Sequence, residues 1–185
     1  VGQAMAPRII LIGPMGSGKT TIGKSLAQKL SLEFRDTDSV IERREQKTVS
    51  QIFIEDGEDA FRAIEREVLK EELQGSDTVL ALGGGAPISA EAQSALQASD
   101  SHVVYLDISL ANVAPRIGFN RDRPLLLNNP RGQWQTLMEA RRPIYESVAD
   151  TVVDVNKRSQ SEIVAQILEV CLLYTSDAAD EEDSV

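Results

Sequence analysis

An apolar run, RIILI at residues 8–12, leads straight into GPMGSGKT, and this junction constrains the chain more than any other feature. Gly13, Gly18, Lys19 and Thr20 stand at the spacing of the Walker A phosphate loop. The residues that follow place Ile22, Leu26, Ala27 and Leu30 on one helical face. Strand, glycine-rich turn and helix in that order form an anion cradle. The turn aims backbone N–H groups inward, and the helix N-terminus adds its positive end. Met15, Gly16, Ser17 and Thr21 complete the loop, Lys19 is placed to reach the β- and γ-phosphates, and Thr20 offers a hydroxyl to Mg²⁺. The expected ligand is therefore Mg-ATP; the alternative is a glycine-rich turn that binds nothing.

Such a loop implies a parallel α/β sheet, and the remaining pattern agrees. EFRD (33–36), TVLAL (78–82), HVVYLD (102–107) and TVVDV (151–155) read as four more strands, most of them dense in Val, Ile and Leu as strands covered on both faces are. Helical stripes fall between them, at Phe61, Ile64, Val68 and Leu69 and again at Ile163, Val164, Ile167 and Leu168. The expected architecture is a five-stranded parallel sheet flanked by helices, as one domain over residues 1–170. Residues 39–75 hold more helix than a crossover needs and are expected to bind the acceptor. Residues 118–132, rich in Gly, Pro and Asn and carrying three arginines, are expected to form a lid.

No apolar run is long enough to span a bilayer, and the stretch before Pro7 has no leader pattern, with Met5 a candidate start. A cytoplasmic monomer is expected. The net charge of -10 speaks against non-specific nucleic-acid binding. Cys171 to Val185 carries five acids and no base, and CLLYTSDAADE resembles a translated sequencing adapter. That tail reads either as non-native sequence or as an acidic disordered extension, and without it the charge is -5 and no cysteine remains.

Many phosphate-loop proteins end a strand with a metal-holding Asp, but TVLAL ends in Gly83, Gly84 and Gly85. Asp36 and Asp38, at the end of the second strand, are the alternative: Asp36 for Mg²⁺ through water, Asp38 for an incoming hydroxyl. The competing reading is helix capping by Asp38 or Ser39. The triple glycine is either a tight turn or a place where a ligand meets the backbone. Glu58, Arg62 and Glu65 form a polar stripe opposite the apolar face of their helix. The stripe is either surface ion pairing or a Glu65-oriented Arg62 that grips a carboxylate. Arg141 is open between helix surface and ligand clamp. Arg123 suits a cation carried on a closing lid, and Arg116 suits stacking on adenine. His102 reads as structural.

Together GPMGSGKTT, FRDTD, FRAIE, ALGGGAP, RDRPLL and RRPIY resemble the shikimate kinase family over residues 8–170. The resemblance implies transfer of the ATP γ-phosphate to the 3-hydroxyl of shikimate, in the biosynthesis of aromatic amino acids. It implies Lys19 and Thr20 on Mg-ATP, Asp36 near the metal and Asp38 on the shikimate hydroxyls. Arg62, Arg141 and the glycines would hold shikimate, Arg123 would be the lid arginine, and Arg116 and Asn156 would lie near adenine. The alternatives are a gluconate-type kinase and a catalytically silent nucleotide-binding module.

Overall fold

The computed structural model describes residues 6–117 and 129–183, with side chains as far as Cys171. Five strands, β1 (Ile9–Ile12), β2 (Glu33–Asp36), β3 (Thr78–Ala81), β4 (His102–Asp107) and β5 (Thr151–Asp154), form one sheet in the order β2-β3-β1-β4-β5. All four pairings are parallel. The apolar runs are apolar because β1, β3 and nearly all of β4 are buried on both faces. β2, at the sheet edge, is not buried, which explains its charged sequence. Because β1 has β3 on one side and β4 on the other, the chain reverses direction across the sheet at the carboxyl end of β1. A ligand crevice opens at such a reversal.

Helices α1 (Lys19–Leu30), α2 (Thr37–Glu45), α3 (Val49–Asp56), α4 (Glu58–Glu72), α5 (Ala90–Ala98), α6 (Leu110–Ile117), α7 (Pro130–Val148) and α8 (Gln160–Asp183) complete the described fold. The stripes read from the sequence are where the helices meet the core: Ile22, Leu26 and Ala27 on α1, Val68 and Leu69 on α4, and Ile163, Val164 and Ile167 on α8 are all buried. Each fully buried aliphatic side chain contributes about 1.5–3 kcal/mol relative to exposure. A second, smaller cluster of Val40, Ile41, Ile52, Phe61 and Val68 knits α2, α3 and α4 together. The expected insertion at 39–75 is thus a three-helix unit with its own core, strapped to the sheet edge by Arg35, whose guanidinium grips Glu72 of α4 at two points, one of them 2.8 Å.

Two boundaries differ from expectation. Asn129 to Gly132, assigned to the lid, instead begin α7: Asn129 is the N-cap and accepts from the Gly132 N–H, and Pro130 takes the first helical position. The rest of the lid range, 118–128, lies outside the described residues. α8 continues past Val170, where the domain was expected to end, to Asp183.

Candidate active site

The glycine-rich turn after β1 has the geometry of a phosphate cradle. Gly13, Gly16 and Gly18 have positive φ of 149°, 85° and 99°, a backbone path that L side chains rarely take. The Lys19 ammonium donates to the carbonyls of Gly13 at 2.6 Å and Pro14 at 3.0 Å, so it lies over the loop it serves. Ser17 is 1% exposed, yet its hydroxyl finds no hydrogen-bond partner among the described residues. A buried, unsatisfied hydroxyl inside a nest of backbone donors fits an incoming phosphate. Trp134 of α7 donates its indole N–H to the Met15 carbonyl at 3.3 Å, and Arg116 of α6 donates to the Gly16 carbonyl at 3.3 Å. The loop is therefore held by the two helices that bracket residues 118–128.

Asp36 serves two purposes at once, because its two oxygens point different ways. Oδ1 accepts from the backbone N–H groups of Asp38 at 2.8 Å and Ser39 at 3.4 Å, capping α2. The cap is thus Asp36, not the Asp38 or Ser39 that the sequence suggested. Oδ2 accepts from the Thr20 hydroxyl at 3.3 Å. Thr20 and Asp36 thus meet at the mouth of the loop, the pair from which a hydrated Mg²⁺ can be held. No cluster of three or more His, Cys, Asp or Glu side chains suited to a metal occurs among the described residues. A metal here would take its remaining ligands from phosphate and water, as Mg²⁺ ordinarily does.

The loop opens into a cleft of about 1000 Å³. Met15, Gly16, Ser17, Gly18, Lys19, Thr20, Thr21, Asp36 and Arg116 line one part of it, and Asp38, Arg62, Glu65, Arg141 and Gly83 to Gly85 line another. Arg62 donates to Glu65 at 2.8 Å, lies 3.6 Å from Glu58, and sits within 6 Å of the rings of Phe53 and Phe61. Glu65 is 3% exposed. Arg62 and Glu65 therefore do not belong to a solvent face, although Glu58 does: Gly85 packs so close to Arg62 that a Cβ there would lie 2.7 Å from its Cζ. Burial pushes the Glu65 carboxyl up, with the Arg62 guanidinium pulling the other way. Burial, with help from the neighbouring carboxylates of Asp36, Glu65 and Glu42, raises Asp38 to about 6 against the pull of Lys19. A carboxyl poised there can accept a proton near neutral pH. Arg141 faces the cleft, whereas its neighbour Arg142 turns away and donates to Asp107 at 2.9 Å.

Two expected residues are not cleft walls. Gly13 lies behind the loop, where a Cβ would lie 2.7 Å from the Leu106 carbonyl. Asn156 accepts from the Ser109 N–H and donates to Asp154, tying the end of β5 to the turn after β4. Arg123 lies outside the described residues. The sequence reading missed Arg158, Gln160 and Ile163 on the nucleotide side and Glu42, Val49 and Phe53 near the arginines. The helical stripe places Ile163 in the core, and at 3% exposed it is core as well as wall. Arg158 and Gln160 follow the end of β5, and a strand's carboxyl end was the signal that would have marked them. His102 bonds Thr151 at the far end of β4, in keeping with a structural role.

The family model described as shikimate kinase matches residues 15–172. The shikimate kinase of Thermobifida fusca is 47% identical over 156 residues, covering 84% of this chain and 90% of the relative. Among solved structures, shikimate kinase from Acinetobacter baumannii in complex with shikimate superposes with a TM-score of 0.87 at 36% identity, covering 93% of this chain and 96% of that one. A gluconokinase from Sinorhizobium meliloti covers 97% of this chain and 99% of its own, but its 18% identity and TM-score of 0.58 make it a likeness of fold alone. With a model match over most of its length, close relatives, and a phosphate loop facing two arginines across one cleft, the chain belongs to the shikimate kinase family.

Proposed function

We infer that this chain phosphorylates shikimate, passing the γ-phosphate of ATP to the 3-hydroxyl to give 3-phosphoshikimate and ADP. The observation that carries the reading is that one cleft joins a phosphate loop to a pocket holding Asp38, Arg62 and Arg141 around a triple glycine. A hydroxylated carboxylate suits such a pocket, with the arginine forks on its carboxylate and the acid on a hydroxyl.

In the transfer, the bond from the γ-phosphorus to the β,γ-bridging oxygen breaks, a bond to the acceptor oxygen forms, and the hydroxyl proton leaves. The chain's part is mostly positioning and charge neutralisation. The P-loop N–H groups and Lys19 hold the phosphates, Arg62 and Arg141 fix the acceptor, and Asp38 orients the hydroxyl and can take its proton. Glu65 aims Arg62 through its 2.8 Å contact. Thr20 and Asp36 would hold Mg²⁺, which when bound screens the charge on the phosphate oxygens. Arg116 is assigned to the adenine side and Arg123 to the lid. No described helix is long and apolar enough to cross a membrane. We assign the enzyme to the cytoplasm as a monomeric single domain acting on a small molecule, and the helical segment from Cys171 to a non-native extension.

ADP release from Mg-ATP is expected with shikimate, and not with gluconate, AMP or water, in an acceptor panel. Turnover with gluconate or AMP but not shikimate would overturn the reading. Arg62→Ala is expected to raise the KM for shikimate about 10–100-fold, the worth of a charged bidentate contact, while the KM for ATP moves less than about twofold. An unchanged shikimate KM would remove Arg62 from acceptor binding.

A further inference from the structure

Gly83, Gly84 and Gly85 each face a different side chain of the acceptor pocket. A Cβ on Gly83 would lie 2.7 Å from an Asp38 carboxylate oxygen, one on Gly84 3.4 Å from an Arg141 nitrogen, and one on Gly85 2.7 Å from Arg62 Cζ. None of the three has positive φ, so the backbone does not demand glycine here. What glycine supplies at 83 and 85 is room for Asp38 and Arg62 to seat against one short loop, while Arg141 lies at ordinary contact distance from residue 84.

That loop is tied at two points by hydroxyls from other elements. The Gly83 N–H donates to Thr37 Oγ1 at 3.0 Å, and the Tyr145 hydroxyl donates to the Gly84 carbonyl at 2.6 Å. Both hydroxyl carriers are 0% exposed. Each is also joined to a group that the loop seats: Thr37 stands between Asp36 and Asp38, and Tyr145 lies one helical turn beyond Arg141 on α7. One bond therefore sets the loop against the acid and the other sets it against the arginine.

We propose that Thr37 and Tyr145 are positioning residues whose hydroxyls lock residues 83–85 into a template, and that this template fixes the mutual placement of Asp38, Arg141 and Arg62 on which acceptor recognition depends. The proposal rests on the acceptor reading above. It separates from a purely structural role because the phosphate loop has ties of its own, through Trp134 and Arg116. Loss of the lock should therefore reach the acceptor and spare ATP.

Thr37→Val keeps the shape of the side chain and removes the acceptor oxygen, and Thr37→Ser restores it. Tyr145→Phe removes the other tie. Because Arg141 is also a polar neighbour of the Tyr145 hydroxyl, Tyr145→Phe alone cannot isolate the loop; agreement with Thr37→Val does so. Steady-state assays with both substrates are expected to show about a tenfold or greater rise in shikimate KM for Thr37→Val and for Tyr145→Phe, with ATP KM within about twofold of wild type. Thr37→Ser should return shikimate KM to within about threefold. Should Thr37→Val not fold, Thr37→Ala, which also removes the acceptor oxygen and leaves no bulk against Gly83, carries the same expectation beside Tyr145→Phe. Unchanged shikimate KM in folded variants, or equal losses for both substrates, would overturn the lock while leaving the acceptor reading in place. A wild-type enzyme that does not turn over shikimate would overturn both.

Discussion

Lys19→Met is expected to lower kcat about 1000-fold while the fold persists, the loss that follows removal of a charged donor from a preorganised phosphoryl-transfer site. Methionine keeps most of the aliphatic stem, and the two carbonyls that lose their donor belong to Gly13 and Pro14, both buried. The melting temperature should therefore fall by about 2–8 °C, the range that follows about 1–2 kcal/mol of lost hydrogen bonding in a chain of this size. Lys19→Arg should be nearly as inactive. A rigid planar fork does not follow the path by which the lysine bends over the loop to reach two carbonyls of adjacent residues. Stopped ADP-release assays with shikimate, beside calorimetric ATP binding, separate the chemical loss from a loss of nucleotide affinity. Retention of more than about a tenth of wild-type kcat by Lys19→Met would mean that another cation serves the phosphates.

The sequence read well wherever a residue's partners lie close along the chain. The phosphate loop is one continuous segment, and β1, β3 and β4 announce themselves because burial on both faces leaves only apolar residues. Contacts between distant segments were hidden. Thr37 was overlooked between two acids, since its partner Gly83 is 46 residues away, and Tyr145 is 61 residues from Gly84. The stripe of Glu58, Arg62 and Glu65 looked like a solvent face because helical periodicity reports which residues share a face and not what lies against it. The glycine loop and Phe53 lie against this one. For Asp36 the sequence suggests metal binding and leaves the capping role to its neighbours. A carboxylate has two oxygens, and only the coordinates separate the one on the α2 amides from the one on Thr20.

Asp38→Asn is expected to abolish turnover and stabilise the protein together, and the two effects share one cause. The carboxyl is raised to about 6 first by burial and then by Asp36, Glu65 and Glu42, with Lys19 only partly compensating. A native pKa above the unfolded value of about 3.9 means that the folded state binds more protons than the unfolded one between roughly pH 4 and 6. Stability from this group is thus fully present below about pH 4 and is lost as pH rises through 6, so at neutral pH the ionised acid works against folding by about 1–3 kcal/mol. Asparagine keeps the shape and carries no charge to bury. The variant should melt about 3–8 °C above wild type at pH 7.5, and the difference should vanish near pH 4, in thermal scans across that range. Its kcat with shikimate should fall about 100–10,000-fold, since the acceptor hydroxyl loses the group that orients it and takes its proton. Wild-type kcat/KM for shikimate should for the same reason decline below about pH 6 with unit slope, as the carboxylate is protonated in the free enzyme. A destabilised Asp38→Asn at neutral pH would show that the carboxylate is held by favourable contacts in place of being stored there at a cost. Retained turnover would move the acceptor hydroxyl away from Asp38.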